Sequence, residues 1–570
     1  MSFWKKAGEG IKKVYAKFDA FFSGEKTVYT VCTVVLLPIL LVIAVEAISR
    51  NSILESFLFL VQHPVPFLVN ACIIACTIVP ALIFRRRFFV YLIMTAFWIV
   101  LGCVNRSLLE TRVTPFNGTD IFMVKTGMRI ASKYISPGTI ILWIVVGVFG
   151  AAFLVLVWLK GPKFKKEIHR IRNAAISVAM VGVTFLVLSL AISTGKIAST
   201  FNNLPNAYKA YGFTYCFLNS VFDNGVHKPS DYSEQNIVEL VDDLETEADE
   251  IVQVTDKTPN IIIIQLESFF DITRMDNLQF SEDPIPNFRR LGEEYNKGYV
   301  SVPSIGAGTS NTEFEILTGM NLEDFGAGEI PYKGILLKET CESIAYDLSA
   351  NGYVAHALHN NDATFYQRHT VYPNLGFDTF TSMEYMFLTR DDFTKKGWVR
   401  DEVLTEHIED CLNSTPEGVD FVFTVSVEGH GSYPNQYIPG MNNISVRSEE
   451  GQTQYAVQFY TNLINDMDVF VEDLVRMLQE RGEETILFLY GDHLPSLGLE
   501  QEHMKDGDLM QMDYVVWNNM GLDLNLGDLE AWQVMPKLLG AIGVKTGVIN
   551  SYHQSHINDE EGEYLSGLQN

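Results

Sequence analysis

Five long apolar segments in the first 200 residues constrain this chain more than anything else in it. They run over about 28–48, 65–84, 88–108, 139–159 and 174–193. A bilayer core takes about 20 helical residues to cross, so each is long enough to span. Basic residues sort onto alternate connections. Lys5, Lys6, Lys12, Lys13 and Lys17 precede the first segment, Arg85, Arg86 and Arg87 divide the second from the third, and Lys160, Lys163, Lys165, Lys166, Arg170 and Arg172 divide the fourth from the fifth. The positive-inside rule makes these connections cytoplasmic. An odd number of spans then places everything after about residue 195 outside the cell. The first segment starts too far in, and is followed by too many others, for a simple signal peptide.

Charge divides the chain in the same way. Residues 1–200 hold 22 Lys/Arg against 8 Asp/Glu, and the remaining residues hold 20 against 61. So acidic a second part does not fit a nucleic-acid binder. The seven cysteines show no CxxC or Cys/His spacing, so neither a zinc ribbon nor a disulfide framework is expected. Glu46, at the outer end of the first span, is read as structural. The loop at 109–137 crowds Glu110, Arg112, Asp120, Lys125 and Arg129, with Arg106 just before it. It fits either a lipid-headgroup site or a solvated loop.

The expected organisation is a membrane domain of five helices over 1–195, a helical extracellular linker over 196–255 and an α/β domain over 256–570. In the linker, 236–249 has a helical pattern, with Ile237, Leu240, Val241 and Leu244 on one face. From Asn260 apolar runs at 261–265, 353–358, 421–425 and 485–490 alternate with helical stretches near 287–296, 343–351, 455–481 and 532–542. That alternation predicts a doubly wound sheet, whose ligands bind at the carboxyl ends of the strands. Ionisable residues stand at those ends: Glu267 after the first run, His359 after the second, Glu428 and His430 after the third, Asp492 and His493 after the fourth.

Between the first two runs lies Gly306-Ala307-Gly308-Thr309-Ser310-Asn311-Thr312-Glu313-Phe314. Ser310 and Glu313 have the spacing of a capping box, which predicts a helix start with Ser310 as its cap. Thr309 then sits where free N–H groups and the helix dipole favour an anion. Taken alone, this is an ordinary helix cap. With Glu267, Asp492 and His493 it forms an oxygen-rich set with one imidazole, suited to Mn²⁺ or Mg²⁺ rather than structural zinc. A divalent ion there would activate the Thr309 hydroxyl as a nucleophile. His430 is a candidate for holding the substrate or protonating a leaving oxygen. Arg368 suits either a phosphate contact or a salt bridge.

These pieces resemble a known family. Asn260 to Phe269, Gly308-Thr309-Ser310-Asn311-Thr312-Glu313-Phe314, Phe365-Tyr366-Gln367-Arg368 and Leu489-Tyr490-Gly491-Asp492-His493-Leu494-Pro495 are similar to motifs of the sulfatase/alkaline-phosphatase-like superfamily. The whole chain, with its spans and outer domain, resembles the lipoteichoic acid synthases (polyglycerolphosphate synthases). The resemblance implies a multi-pass cell-membrane enzyme with an extracellular catalytic domain. It would take glycerol phosphate from the membrane lipid phosphatidylglycerol through a covalent threonine intermediate, pass it to a glycerol-phosphate polymer or glycolipid acceptor, and release diacylglycerol. It assigns Mn²⁺ to Glu267, Thr309, Asp492 and His493, the nucleophile to Thr309, and the glycerol-phosphate pocket to His359, Tyr366, Arg368 and His430. Asn311 replaces an acid usual in the family, Tyr366 a usual tryptophan, and Asn361 a common aspartate, departures that bear on substrate choice more than on the metal set. Transfer of phosphoglycerol or phosphoethanolamine onto a cell-surface glycan is an alternative, as is a catalytically inactive relative that binds lipid or polymer. A sulfatase fits less well, because Thr309-Ser310-Asn311-Thr312 lacks the Cys/Ser-x-Pro/Ala-x-Arg pattern of the formylglycine precursor.

Overall fold

A computed structural model describes most of residues 30–109, 137–222 and 258–556, with 16–23 and 114–121. The expected helix at 236–249 falls outside the described residues except for Val238, as do Glu110, Arg112, Lys125 and Arg129 of the candidate headgroup loop. The chain divides into two compact units, 1–224 with 326–328, and 225–325 with 329–570.

Among the described residues of the first unit, four helices are long and apolar enough to cross a bilayer: Cys32–Ser49, Pro64–Ile83, Arg87–Leu109 and Arg170–Ser193. The remaining expected span lies in the 24-residue helix Pro137–Lys160, whose described stretch Ile144–Lys160 is also apolar. The basic connections gather at one end, as a shared membrane face requires. The Phe164 amide donates to the Arg85 carbonyl at 2.7 Å, and the Lys165 amide to the Ser23 carbonyl at 3.1 Å. Glu46 is structural: its carboxylate pairs with Arg50 Nε at 2.7 Å and caps the Phe213 amide at 2.8 Å. All seven cysteines are free thiols.

The described residues of the second unit form ten strands: β1 (Asn260–Leu266), β2 (Leu278–Phe280), β3 (Asn296–Ser301), β4 (Tyr353–His359), β5 (Thr379–Ser382), β6 (Val419–Val425), β7 (Val446–Ser448), β8 (Thr485–Gly491), β9 (Gln511–Asn518) and β10 (Leu529–Glu530). Eight form one sheet in the order β10-β3-β9-β8-β1-β6-β4-β5, and β2 pairs with β7. From β8 to β5 all neighbours are parallel, while β9 runs antiparallel to both β8 and β3. β1 is buried along its whole length, as expected of an Ile-rich strand covered on both faces. The helices Pro286–Glu294, Ile344–Ala350, Tyr455–Arg481 and Val534–Ile542 stand where periodicity expects them.

The helix Thr309–Thr318 is buried nearly throughout, including Glu315, which accepts a 2.9 Å hydrogen bond from the Leu322 amide. Burial, reinforced by the nearby acids Glu530, Glu323 and Asp324, pushes Glu315 up to about 8. A carboxyl raised in the folded state gives stability that is full below its ordinary value and lost as pH rises through the folded one. Wild type should therefore lose thermal stability between about pH 4.5 and about pH 8, and Glu315→Gln, whose carbonyl still accepts from Leu322, should lose less. Parallel pH profiles of the unfolding midpoint in the two proteins would contradict this.

Candidate active site

Strand register builds the centre. Leu266 on β1 pairs with Gly491 on β8, so Glu267 and Asp492 are the next residues on adjacent parallel strands. Gly491 has to be a glycine, because a Cβ there would sit 1.9 Å from the Phe269 carbonyl oxygen. Ser268 joins the two acids. Its amide donates to Asp492 Oδ1 at 2.7 Å and its hydroxyl to Glu267 Oε1 at 2.9 Å. Its backbone is left-handed, with φ of 52°, and its carbonyl is held by the Tyr460 hydroxyl at 2.7 Å. A non-glycine residue in that region costs on the order of 1–3 kcal/mol and persists only where its surroundings hold it, often at functional sites.

Thr309 completes the group. Its hydroxyl donates to Glu267 Oε2 at 3.1 Å and lies 3.5 Å from His493 Nε2. The Gln265 side chain holds the Thr309 carbonyl, and the Thr312 hydroxyl holds the Asp492 carbonyl, tying the helix start to β1 and β8. The expected cap is corrected here. The helix starts two residues earlier, with Gly308 as N-cap at φ of 114°, which favours glycine. Ser310 falls within the first turn, its hydroxyl is buried and makes no cap, and Glu313 is engaged elsewhere.

Glu267, Asp492 and His493 present ligand atoms within 4.8 Å of one another, and all three residues are buried. Asp492 Oδ2 is buried with no hydrogen-bond partner. Burial, with the neighbouring Glu267, pushes Asp492 up to about 7. Burial alone would lower His493, but the Asp492 and Glu267 carboxylates raise it. Two buried carboxylates beside a hydroxyl and an imidazole, with one oxygen unsatisfied, fit a divalent cation. The exposed acids Glu500 and Glu502, with His503, form a second such group.

The other expected site residues form a second layer. The Arg368 guanidinium is fully buried and spent on Glu313, through Nε to Oε2 at 3.1 Å and Nη2 to Oε1. The Tyr372 hydroxyl also donates to Glu313, at 2.9 Å. His359 donates through Nδ1 to the Val425 carbonyl at 2.8 Å, so its Nε2 accepts from Arg368 Nη1 at 3.0 Å. Burial and the Arg368 charge hold this imidazole well below its ordinary range, which keeps it neutral. Tyr366 and Gln367 are left-handed, with φ of 54° and 58°, and the Tyr366 ring has Lys333 at 4.4 Å and Arg368 at 5.3 Å from its centroid. His430 stacks on Trp398 with ring centroids 4.5 Å apart.

Sequence reasoning thus named the four residues that the structure brings together but not their neighbours Glu313, Ser268, Tyr372, Lys333 and Trp398. Glu313 had a visible signal, an acid four residues past Thr309, which the capping-box spacing explained away. The pairing makes a magnitude testable. Glu313→Ala strands a buried guanidinium and should cost about 3–5 kcal/mol. Glu294→Ala, which breaks the half-exposed Arg290 pair, should cost under about 1 kcal/mol. Denaturant titration of the two variants measures both, and equal costs would contradict the buried pair.

Residues 259–522 match the Sulfatase family model. A Rhizobium meliloti protein named for cyclic beta-1,2-glucan modification is 28% identical over 409 residues, 67% of this chain and 61% of that protein. The lipoteichoic acid synthase of Staphylococcus saprophyticus is 24% identical over 313 residues, 51% of this chain and 46% of that one. The chain thus spans about half to three-fifths of the length of these two relatives. Among solved structures, the Streptococcus pyogenes phosphoglycerol transferase GacH in complex with sn-glycerol-1-phosphate superposes with a TM-score of 0.51 at 20% identity, over 60% of this chain and 92% of that one, a likeness of fold. With the sheet and the Thr309 centre already described, residues 259–522 are identified as a sulfatase domain, and lipoteichoic acid synthases are among the relatives of this chain.

Proposed function

We propose that this protein is a membrane-anchored phosphoglycerol transferase that takes glycerol phosphate from phosphatidylglycerol and passes it to a polyglycerolphosphate chain outside the cell. The observation that carries this reading is the Thr309 hydroxyl, buried at a helix N-terminus and hydrogen-bonded to Glu267. The Thr309 oxygen attacks the lipid phosphorus as its proton passes to Glu267, the bond from phosphorus to the diacylglycerol oxygen breaks, and that oxygen leaves with a proton supplied by His430. An acceptor hydroxyl then attacks phosphothreonine and gives its proton to His430, the bond from phosphorus to the Thr309 oxygen breaks, and Thr309 recovers its proton from Glu267. Glu267 accepts the Thr309 hydroxyl and orients it for both steps. The helix N-terminus favours the phosphate charge throughout. A divalent cation held by Glu267, Thr309, Asp492 and His493 would neutralise phosphate charge and ease ionisation of the hydroxyl, and the oxygen-rich donor set favours Mn²⁺ or Mg²⁺.

Arg368, anchored by Glu313 and His359, and Tyr366 would border the glycerol-phosphate group. The basic connections would be cytoplasmic and the sulfatase-family unit outside, beside its lipid donor. A second acceptor reading has its own support. The match to the protein named for glucan modification covers more of this chain, 67%, than the match to the lipoteichoic acid synthase, 51%. A cell-surface glycan hydroxyl would then take the place of the polymer end, with Thr309 chemistry unchanged.

Purified full-length protein with Mn²⁺ and fluorescent phosphatidylglycerol should release diacylglycerol and carry the label on Thr309 when acceptor is withheld. Thr309→Ala should lower release by at least about a thousandfold. Equal release by the variant would remove Thr309 from the chemistry.

A further inference from the structure

The segment after β5 leaves a small apolar tip in solvent. Tyr385 ends the 3-10 turn Met383–Tyr385, and Met386-Phe387-Leu388 follow it. Phe387 is 100% exposed and Tyr385 73%, while Met386 between them is 7% exposed. Phe387 is therefore held out by a packed base. Met383 and Leu388 pack on the cluster of Trp398, Val399 and Val427, and Trp398 carries the His430 ring. The Met383 amide donates to the Asn361 carbonyl at 3.1 Å, and Glu384 accepts from the Ala363 amide at 3.2 Å. Ser382, the last residue of β5, pairs with His359 on β4. The tip thus rises from the same carboxyl edge of the sheet as Thr309, on a base shared with His430.

We propose that this tip is an interfacial membrane anchor: Tyr385 and Phe387 insert into the headgroup region of the bilayer and hold the Thr309 edge against its surface. The chain's own apolar helices commit it to a bilayer, and Tyr and Phe are amphipathic or apolar rings suited to that depth. Charge agrees. Residues after 200 are strongly acidic, but 384–396 balance Glu384, Asp391 and Asp392 with Arg390, Lys395 and Lys396, so an anionic lipid surface does not repel the tip. Size argues against a second copy or a protein partner. Two rings bury on the order of 150–250 Å² each, well short of about 800 Å² on each side of a stable interface. The proposal deepens the lipid-donor reading, from which it takes the need for the site to face the bilayer, but its test needs no turnover.

A fluorescent amino acid replaces Phe387 in the full-length protein, reconstituted into vesicles of phosphatidylcholine and phosphatidylglycerol. Val469, 51% exposed on the helix Tyr455–Arg481, and Phe185, 66% exposed in the span Arg170–Ser193, take the same probe as water and lipid references. Emission at 387 should fall with a bromine-labelled lipid, as at 185, and resist iodide. Quenching by iodide alone, as at 469, would overturn the anchor. Protection from both quenchers would also overturn it, because protein would then cover the tip. A further arm is kinetic. Phe387→Ser should raise KM for vesicle-borne phosphatidylglycerol about tenfold at unchanged kcat, and an unchanged KM would overturn the anchor. No turnover by either protein, with lipid quenching intact, would count against the donor reading alone.

Discussion

Two carboxylates buried side by side dominate this protein. Glu267 and Asp492 end adjacent parallel strands, and the β1–β8 register leaves them no other place. Buried acids that close repel each other, and each loses hydration that only a cation or strong donors can replace. The fold supplies donors up to a point: the Ser268 amide and hydroxyl, the Thr309 hydroxyl and the raised His493 imidazole. One oxygen of Asp492 remains unmatched. The left-handed backbone at Ser268 and the close approach at Gly491 are what it takes to hold the acids there.

The second layer follows the same logic with opposite charge. A fully buried arginine needs a fully buried partner, and Glu313 supplies it from the helix that starts at Thr309. Thr309 and Arg368 are therefore linked through four residues of one helix and one ion pair, which couples the position of Thr309 to that of the guanidinium. His359 is locked as a neutral acceptor by the Val425 carbonyl on one side and Arg368 on the other. In the proposed chemistry it positions Arg368 and is not available to move a proton, which leaves that task to His430 on its tryptophan shelf.

Much of this was legible in the sequence because strand ends are legible. Apolar runs of five or six residues predicted β1, β4, β6 and β8 to within two residues, and parallel topology gathers whatever follows them at one edge. That is why Glu267, Asp492 and His493 emerged together. The positive-inside pattern was equally direct, and the contacts among the basic connections agree with it. The start of the helix that carries Thr309 was misread by two residues, since a glycine N-cap with positive φ leaves no spacing signature while Ser310 and Glu313 offered a false one. Arg368 looked like a surface or substrate-facing cation, because nothing local marks its partner 55 residues away. The antiparallel strand β9 lacked the strict alternation that periodicity could use, although Asp506-Gly507-Asp508 before it and Asn518-Asn519 at its end are turn signals. The backbone strain at Ser268 and Tyr366 is a tertiary outcome with no local sequence cause.

The central claim is that Glu267, Thr309, Asp492 and His493 together bind one divalent cation at the hydroxyl. Anomalous diffraction at the manganese edge, on crystals of the protein grown with Mn²⁺, tests it most directly. The account predicts one strong peak within bonding distance of all four residues, lost in Asp492→Ala while the fold persists. A peak confined to the exposed Glu500, Glu502 and His503 group, or no peak beside Thr309, would contradict it.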